Sequence, residues 1–299
     1  MNQVIDVYEV GPRDGFQNLK TYLPLEEKLQ VIDEIIQAGV RHVQITSFVS
    51  PKAIPQMKDA KEVAAACLEK YKDVDFLALV PNLRGAQTAW ETGIKKVSYV
   101  VSLSASHNRA NINRSHEESL AELRSIREKC PDMYVCLDLA TTFGCPFEGK
   151  APVERVVQFL EPYAELVQEI NLCDTIGIAN PGQVRAVVNA VRKAYPTMPL
   201  QVHIHDTRNM GMVNTLAAIE CGVTRLQSTL GGLGGCPFAP GASGNLATED
   251  IVYMLNEMGY TTDIDFEQLL EASRHQKTMI PDGVFSGHQM NIQKSTCVH

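Results

Sequence analysis

The sequence predicts one α/β unit, a closed (β/α)8 TIM barrel with a helical extension at its C-terminal end. Three observations predict it. The chain has 299 residues, 44% of them hydrophobic, enough to fill one large core. Eight short runs rich in Val, Ile and Leu alternate with longer amphipathic stretches. No repeat, linker or low-complexity tract interrupts them.

The strand candidates fall at 5–10, 42–46, 75–80, 96–103, 134–140, 169–172, 200–205 and 224–229. Among the helices, 25–38 carries apolar residues at helical spacing and stops at Gly39, while 181–194 opens on Pro181 and closes before Pro196. Beyond the eighth strand, 249–258 and 266–277 read as helices and the rest as a polar tail to His299. The barrel is expected over about 1–245 and the extension over about 246–299, with no boundary between separate domains. Closure is favoured because it buries every strand on both faces and leaves no edge. The alternative, a doubly wound open sheet, lacks its G-x-G-x-x-G fingerprint after the first strand.

With 27 basic and 35 acidic residues the net charge is −8, which argues against nucleic acid as a partner. Eight cysteines are scattered without the spacing of a secreted disulfide scaffold or a C-x-x-C zinc site, so most are expected to be reduced and buried. No signal-like N-terminus and no run of 18 apolar residues is present, and a soluble cytoplasmic protein without membrane partners is expected.

Barrel chemistry gathers at the C-terminal ends of the strands. There, His203 and His205 lie two residues apart on the seventh strand, so both imidazoles face one point and suit a divalent metal. His-x-His alone fits equally well with one ring capping a helix and the other packed in the core. The first strand runs into Glu9-Val10-Gly11-Pro12-Arg13-Asp14-Gly15, where Asp14 offers a hard oxygen ligand and Arg13 a permanent cation, or the two form a simple ion-paired turn. After the eighth strand, Gly231-Gly232-Leu233-Gly234-Gly235-Cys236-Pro237 describes a loop that is mobile or approaches a ligand closely. It carries one thiol, Cys236, either inert or a proton donor or acceptor, and leads to Asn245, either a carbonyl ligand or a turn residue or helix cap.

At these residues the sequence resembles the hydroxymethylglutaryl-CoA lyases, members of a wider group of metal-dependent barrel lyases and Claisen-type synthases. The resemblance spans nearly the whole chain. It is carried by Glu9 to Gly15, Thr46-Ser47-Phe48-Val49-Ser50-Pro51-Lys52, Gly144-Cys145-Pro146-Phe147-Glu148-Gly149, Asp174-Thr175-Ile176-Gly177, His203-x-His205-Asp206-Thr207, and above all the stretch from Gly231 to Asp250. It implies a lyase that cleaves 3-hydroxy-3-methylglutaryl-CoA to acetyl-CoA and acetoacetate, as in leucine degradation. It also implies a Mg²⁺ or Mn²⁺ ion held by Asp14, His203, His205 and Asn245, Arg13 as enolate stabiliser, Cys236 as a proton-handling thiol, Glu9 and Asp174 as acids shaping the site, and a homodimer. An anionic acyl-CoA thioester would need local positive charge or helix N-termini on so acidic a chain.

The chain departs from the family pattern at several points. Gln44 stands where the lyases carry a glutamate, and an amide is neither a base nor a charge. Cys136, Ala140 and Thr141 replace an Arg and a Ser-Cys pair, Asp138 is an added acid, and Arg208-Asn209-Met210-Gly211 is not the commonest sequence after Thr207. Gln44, Asp138 and Thr141 are therefore expected in the substrate pocket, with a related thioester such as citramalyl-CoA, or a longer 3-alkyl-3-hydroxyglutaryl-CoA, as alternative substrate. A condensing enzyme of the same group is a further alternative, opposed by the lack of a large C-terminal regulatory domain. A binding barrel without turnover is another, supported by Gln44 alone. The family also offers a redox role for the tail cysteine, Cys297, against the plainer reading of a loose chain end.

Overall fold

The structure, a computed structural model, describes residues 3–235 and 244–292. Eight parallel strands close into a barrel in sequence order: β1 (Asp6–Glu9), β2 (His42–Ser47), β3 (Asp75–Leu79), β4 (Lys96–Ser102), β5 (Tyr134–Ala140), β6 (Glu169–Asp174), β7 (Leu200–Ile204) and β8 (Arg225–Ser228). The closing pair is β1 with β8, aligned Asp6 to Arg225 through Glu9 to Ser228. The helices between them are α1 (Leu25–Gln37), α2 (Ala60–Lys70), α3 (Leu83–Glu91), α4 (Ala105–Ile112), α5 (His116–Lys129), α6 (Val153–Ala164), α7 (Pro181–Ala194) and α8 (Gly211–Glu220).

The two faces of the strands differ in chemistry. Outward residues such as Val43, Ile45, Val97, Val101, Leu137, Leu139, Ile170 and Leu172 join one apolar core with Val31, Ile32 and Ile35 of α1 and Val184, Val187 and Val191 of α7. Burying each such side chain contributes about 1.5–3 kcal/mol. Inward residues at the alternate positions are largely polar: Ser98, Cys136, Asp138, Glu169, Asn171, Gln201, His203 and Gln227 are all buried. A one-residue slip would exchange these faces, so the apolar core fixes the register that presents the polar set to the barrel interior.

At the N-terminal end the interior is plugged by ions. Glu169 receives Arg225 at 2.6 Å and the Tyr134 hydroxyl at 3.3 Å, with Lys96 3.8 Å away. Arg225 and Lys96 in turn lie near Asp6 and Asp75. This plug closes the bottom of the barrel and leaves the C-terminal end as the open one.

Strand positions agree with the sequence pattern, with small differences in extent. β6 runs two residues past its expected end to Asp174, because Cys173 and Asp174 pair with His203 and Ile204 of β7. β7 stops at Ile204, and His205 instead bridges Asn245. The unit between β4 and β5 holds two helices: Asn113 turns the chain left-handed at φ 54°, and a Ser115–Glu118 capping box starts α5. After β8 come α9 (Thr248–Glu257) and α10 (Phe266–Met279); α10 packs on α1, where His275 meets Glu34 at 2.8 Å. Cys67, Cys130, Cys136, Cys145 and Cys173 are unpaired and buried and Cys221 is half-buried, while Cys236 and Cys297 lie outside the described residues. Among the described residues no helix is long and apolar enough to cross a membrane.

Candidate metal centre and cavity

A cavity of about 500 Å³ opens at the C-terminal mouth of the barrel. Its walls include Arg13, Asp14, His203 and His205, together with Asp138, Asn171, Cys173 and Gln227 from the inward strand faces. Asp14 arrives on a helical turn, Gly11–Gly15, folded back against β1 by bonds from Arg13 N and Asp14 N to the Val10 carbonyl at 3.1 and 2.7 Å.

Asp14, His203 and His205 offer ligand atoms that all lie within 4.8 Å of one another. The Nε2 atoms of His203 and His205 face each other at 3.0 Å. The network fixes the His203 tautomer: Gln227 donates its amide to Gln201 at 2.8 Å, so its Oε1 accepts from His203 Nδ1 at 3.1 Å and the Nε2 lone pair points to the centre. Burial keeps both rings neutral, pushing His203 down and His205 down to about 3. Burial alone would raise Asp14, but Arg13, His203 and the bond from Asn245 outweigh it, and the carboxyl lies below its usual range.

Asn245 joins the group through its amide, which donates to Asp14 Oδ2 at 2.8 Å. That orientation leaves its carbonyl oxygen Oδ1 buried without a hydrogen-bond partner. A carboxylate, two neutral imidazoles whose Nε2 atoms face each other and an unsatisfied buried carbonyl make a donor set that fits a divalent cation.

Arg13 is buried beside this centre. It donates to Asp14 Oδ1 at 2.5 Å and, through Nε, to Gln44 Oε1. Gln44 passes the chain on to Ser98 at 2.9 Å. With two of its five N–H groups so fixed, the guanidinium keeps donors for an oxyanion in the cavity. Asp138 is expected in the pocket and lines the cavity, held by Asn171 Nδ2 at 2.9 Å. Gln44 supports the cavity from behind Arg13.

Three expected residues are placed elsewhere, and a fourth lies outside the described residues. Glu9 is fully buried, but its position alternates with the inward ones, and its carboxylate accepts from Gly11 N at 2.7 Å, Leu230 N at 2.9 Å and Thr248 Oγ1. Asp174 likewise turns to the backbone, accepting from Ile178 N at 3.0 Å and Ala179 N at 3.1 Å. Both acids shape the loops that carry the site and neither lines the cavity. Thr141 stands at φ 58° and bonds Ser104 N and Thr175 Oγ1, beside a separate, smaller recess. Cys236 is among the residues not described. Sequence reasoning missed Asn171, Gln201, Gln227 and Ser98; their signal was polar residues at every second position within strands that otherwise read as apolar.

Glu249 mirrors Glu9 on the other side of the turn Leu230–Gly232, accepting from Gly231 N at 2.9 Å and Ser273 Oγ at 2.7 Å. Burial outweighs these bonds and pushes its carboxyl up to about 7. A raised folded-state pKa stabilises fully below about pH 4.5 and loses that effect as pH rises through about 7. The melting temperature of the native chain should therefore fall relative to that of Glu249→Gln between about pH 5 and about pH 8. Parallel curves for the two proteins would show that Glu249 does not titrate in this range.

The model of the HMGL-like family matches residues 4–275. Hydroxymethylglutaryl-CoA lyase YngG of Bacillus subtilis is 42% identical over 273 residues, which are 90% of this chain and 91% of that protein. The crystal structure of the B. subtilis HMG-CoA lyase superposes with a TM-score of 0.92 at 39% identity, covering 97% of this chain and 98% of the other. An HMG-CoA lyase from Acinetobacter baumannii, solved in complex with coenzyme A and 3-methylmalate, gives the same TM-score at 39% identity, covering 99% and 97%.

Proposed function

The chain belongs to the HMGL-like family, and from that premise we propose that it is a carbon–carbon lyase cleaving 3-hydroxy-3-methylglutaryl-CoA to acetyl-CoA and acetoacetate. One observation supports this most directly: Asp14, His203 and His205 converge at the barrel mouth with Arg13 bonded to the same aspartate.

Asp14, His203, His205 and Asn245 would hold the cation, Mg²⁺ or Mn²⁺. When bound, such an ion supplies Lewis-acid polarisation of the substrate oxygens. Arg13 donates to the thioester oxygen, whose negative charge grows as the bond between C2 and C3 breaks, so its contribution is larger in the transition state than in the ground state. Gln44 holds the guanidinium in that orientation without adding a charge. Glu9 and Glu249 hold the successive amides of Leu230 and Gly231, just before the glycine-rich sequence, and Cys236 of that sequence is proposed to return a proton to C2. The homodimer, cytoplasmic location and role in leucine degradation expected from the resemblance are part of the same proposal.

A related 3-hydroxy-acyl-CoA such as citramalyl-CoA is a second reading, favoured by Gln44 and by the carboxyl of Asp138 in the cavity wall. Purified protein with Mg²⁺ or Mn²⁺ and a panel of 3-hydroxy-acyl-CoAs should release acetyl-CoA from the hydroxymethylglutaryl thioester. Binding across the panel with no release would overturn the lyase assignment. Faster hydroxymethylglutaryl-CoA cleavage by Gln44→Glu would move the native substrate to the second reading.

A further inference from the structure

We propose that Asp138 on β5 takes the proton from the substrate's reacting hydroxyl, with Asn171 on β6 positioning it; this rests on the lyase reading above. The pair is buried in the cavity wall, Asp138 at 4% and Asn171 at 1% exposure. Asn171 donates its amide to Asp138 Oδ1 at 2.9 Å, which fixes its flip and leaves its own Oδ1 buried without a partner. A buried carbonyl and a carboxylate side by side make an acceptor pair, and the complementary ligand group is a hydroxyl donor. Strand register sets the depth: Asp138 aligns with Asn171, two residues below Cys173, which aligns with His203. An acyl group bound at the Asp14–His203–His205 centre extends into this layer next.

The other titratable groups of the cavity are engaged elsewhere. Asp14, His203 and His205 converge on the metal centre, His107 is bonded to Ser102 at 2.7 Å, and burial pushes the Cys173 thiol well up. The groups facing Asp138 are Arg13 from the β1 turn, Glu169 and Cys173 on β6, and Cys136 on its own strand. Burial pushes Asp138 up to about 6, near the pH at which a general base works best.

The step balances without an added oxidant or reductant. The hydroxyl proton moves to the Asp138 carboxylate and the O–H electron pair becomes the new C=O bond at C3. The electron pair of the C2–C3 bond then passes to C2 and the thioester oxygen. Protonation at C2 and loss of the Asp138 proton to water restore the starting state.

The test is kcat and KM against pH for the Mn²⁺-loaded protein and for Asp138→Asn, on the best thioester of the panel. The native kcat/KM should rise with pH through about 6; the variant should lose that limb, with kcat lower by about 10²–10⁴-fold and KM within a few-fold. A variant with kcat within about threefold of native, or with the limb intact, overturns the proposal while leaving the lyase reading in place. Native protein inert on every thioester defeats the lyase reading itself, and this inference with it. If Asp138→Asn does not fold, Asp138→Glu decides: a shifted limb supports the base role, and an unmoved one refutes it.

Discussion

Asp14→Ala should reduce acetyl-CoA release by at least about 10³-fold and abolish stoichiometric Mn²⁺ binding, with the barrel still folded. The aspartate is the one anionic donor among the four residues that meet at the barrel mouth, and the two imidazoles facing each other at 3.0 Å are both neutral. Without it, two nitrogens and an amide oxygen would have to hold the cation beside the Arg13 guanidinium, whose charge repels it. The fold should survive because the turn Gly11–Gly15 is fastened by backbone bonds to Val10 and by the Glu9 carboxylate, none of which uses the Asp14 side chain. Circular dichroism and a Mn²⁺ titration followed by electron paramagnetic resonance separate the two effects. Native-like Mn²⁺ affinity in the variant would place the cation elsewhere.

Arg13→Gln should lower kcat by about 10²-fold or more while Mn²⁺ binding stays near the native level. The guanidinium is buried, tied to Asp14 and Gln44, and so arrives already oriented at the cavity. An amide retains a donor but not the charge that stabilises a developing enolate oxygen. The loss should therefore fall on kcat rather than KM, because the contact strengthens only as the bond breaks. A variant with native kcat would remove Arg13 from the reaction. A variant that loses Mn²⁺ would instead make it a prop for Asp14.

Much of this was legible in the residues, and the gaps have physical causes. Eight apolar runs located the strands within a few residues, since parallel barrel strands pack against helices along one whole face. The His-x-His spacing gave the convergence of two imidazoles directly, because alternate residues of a strand share a face. What could not be read was the chemistry of the barrel interior. The buried amides Asn171, Gln201 and Gln227 look like isolated polar residues in an apolar run, and only closure of the sheet brings them into one network. Glu9 and Asp174 show the opposite case: acidic residues at strand ends beside the site turn out to hold loop backbone, because their register faces away from the cavity. Thr141 is expected in the pocket because it stands where the family carries part of a Ser-Cys pair, but the chain leaves β5 at Ala140 and turns left-handed at the next residue.

The most direct measurement is a crystal of the protein grown with excess Mn²⁺, with the ion located by its anomalous scattering. One peak should lie bonded to the Asp14 carboxylate, to Nε2 of His203 and of His205, and to the side-chain carbonyl of Asn245. No peak at the barrel mouth, or a peak from which two or more of these side chains are turned away, would contradict the account.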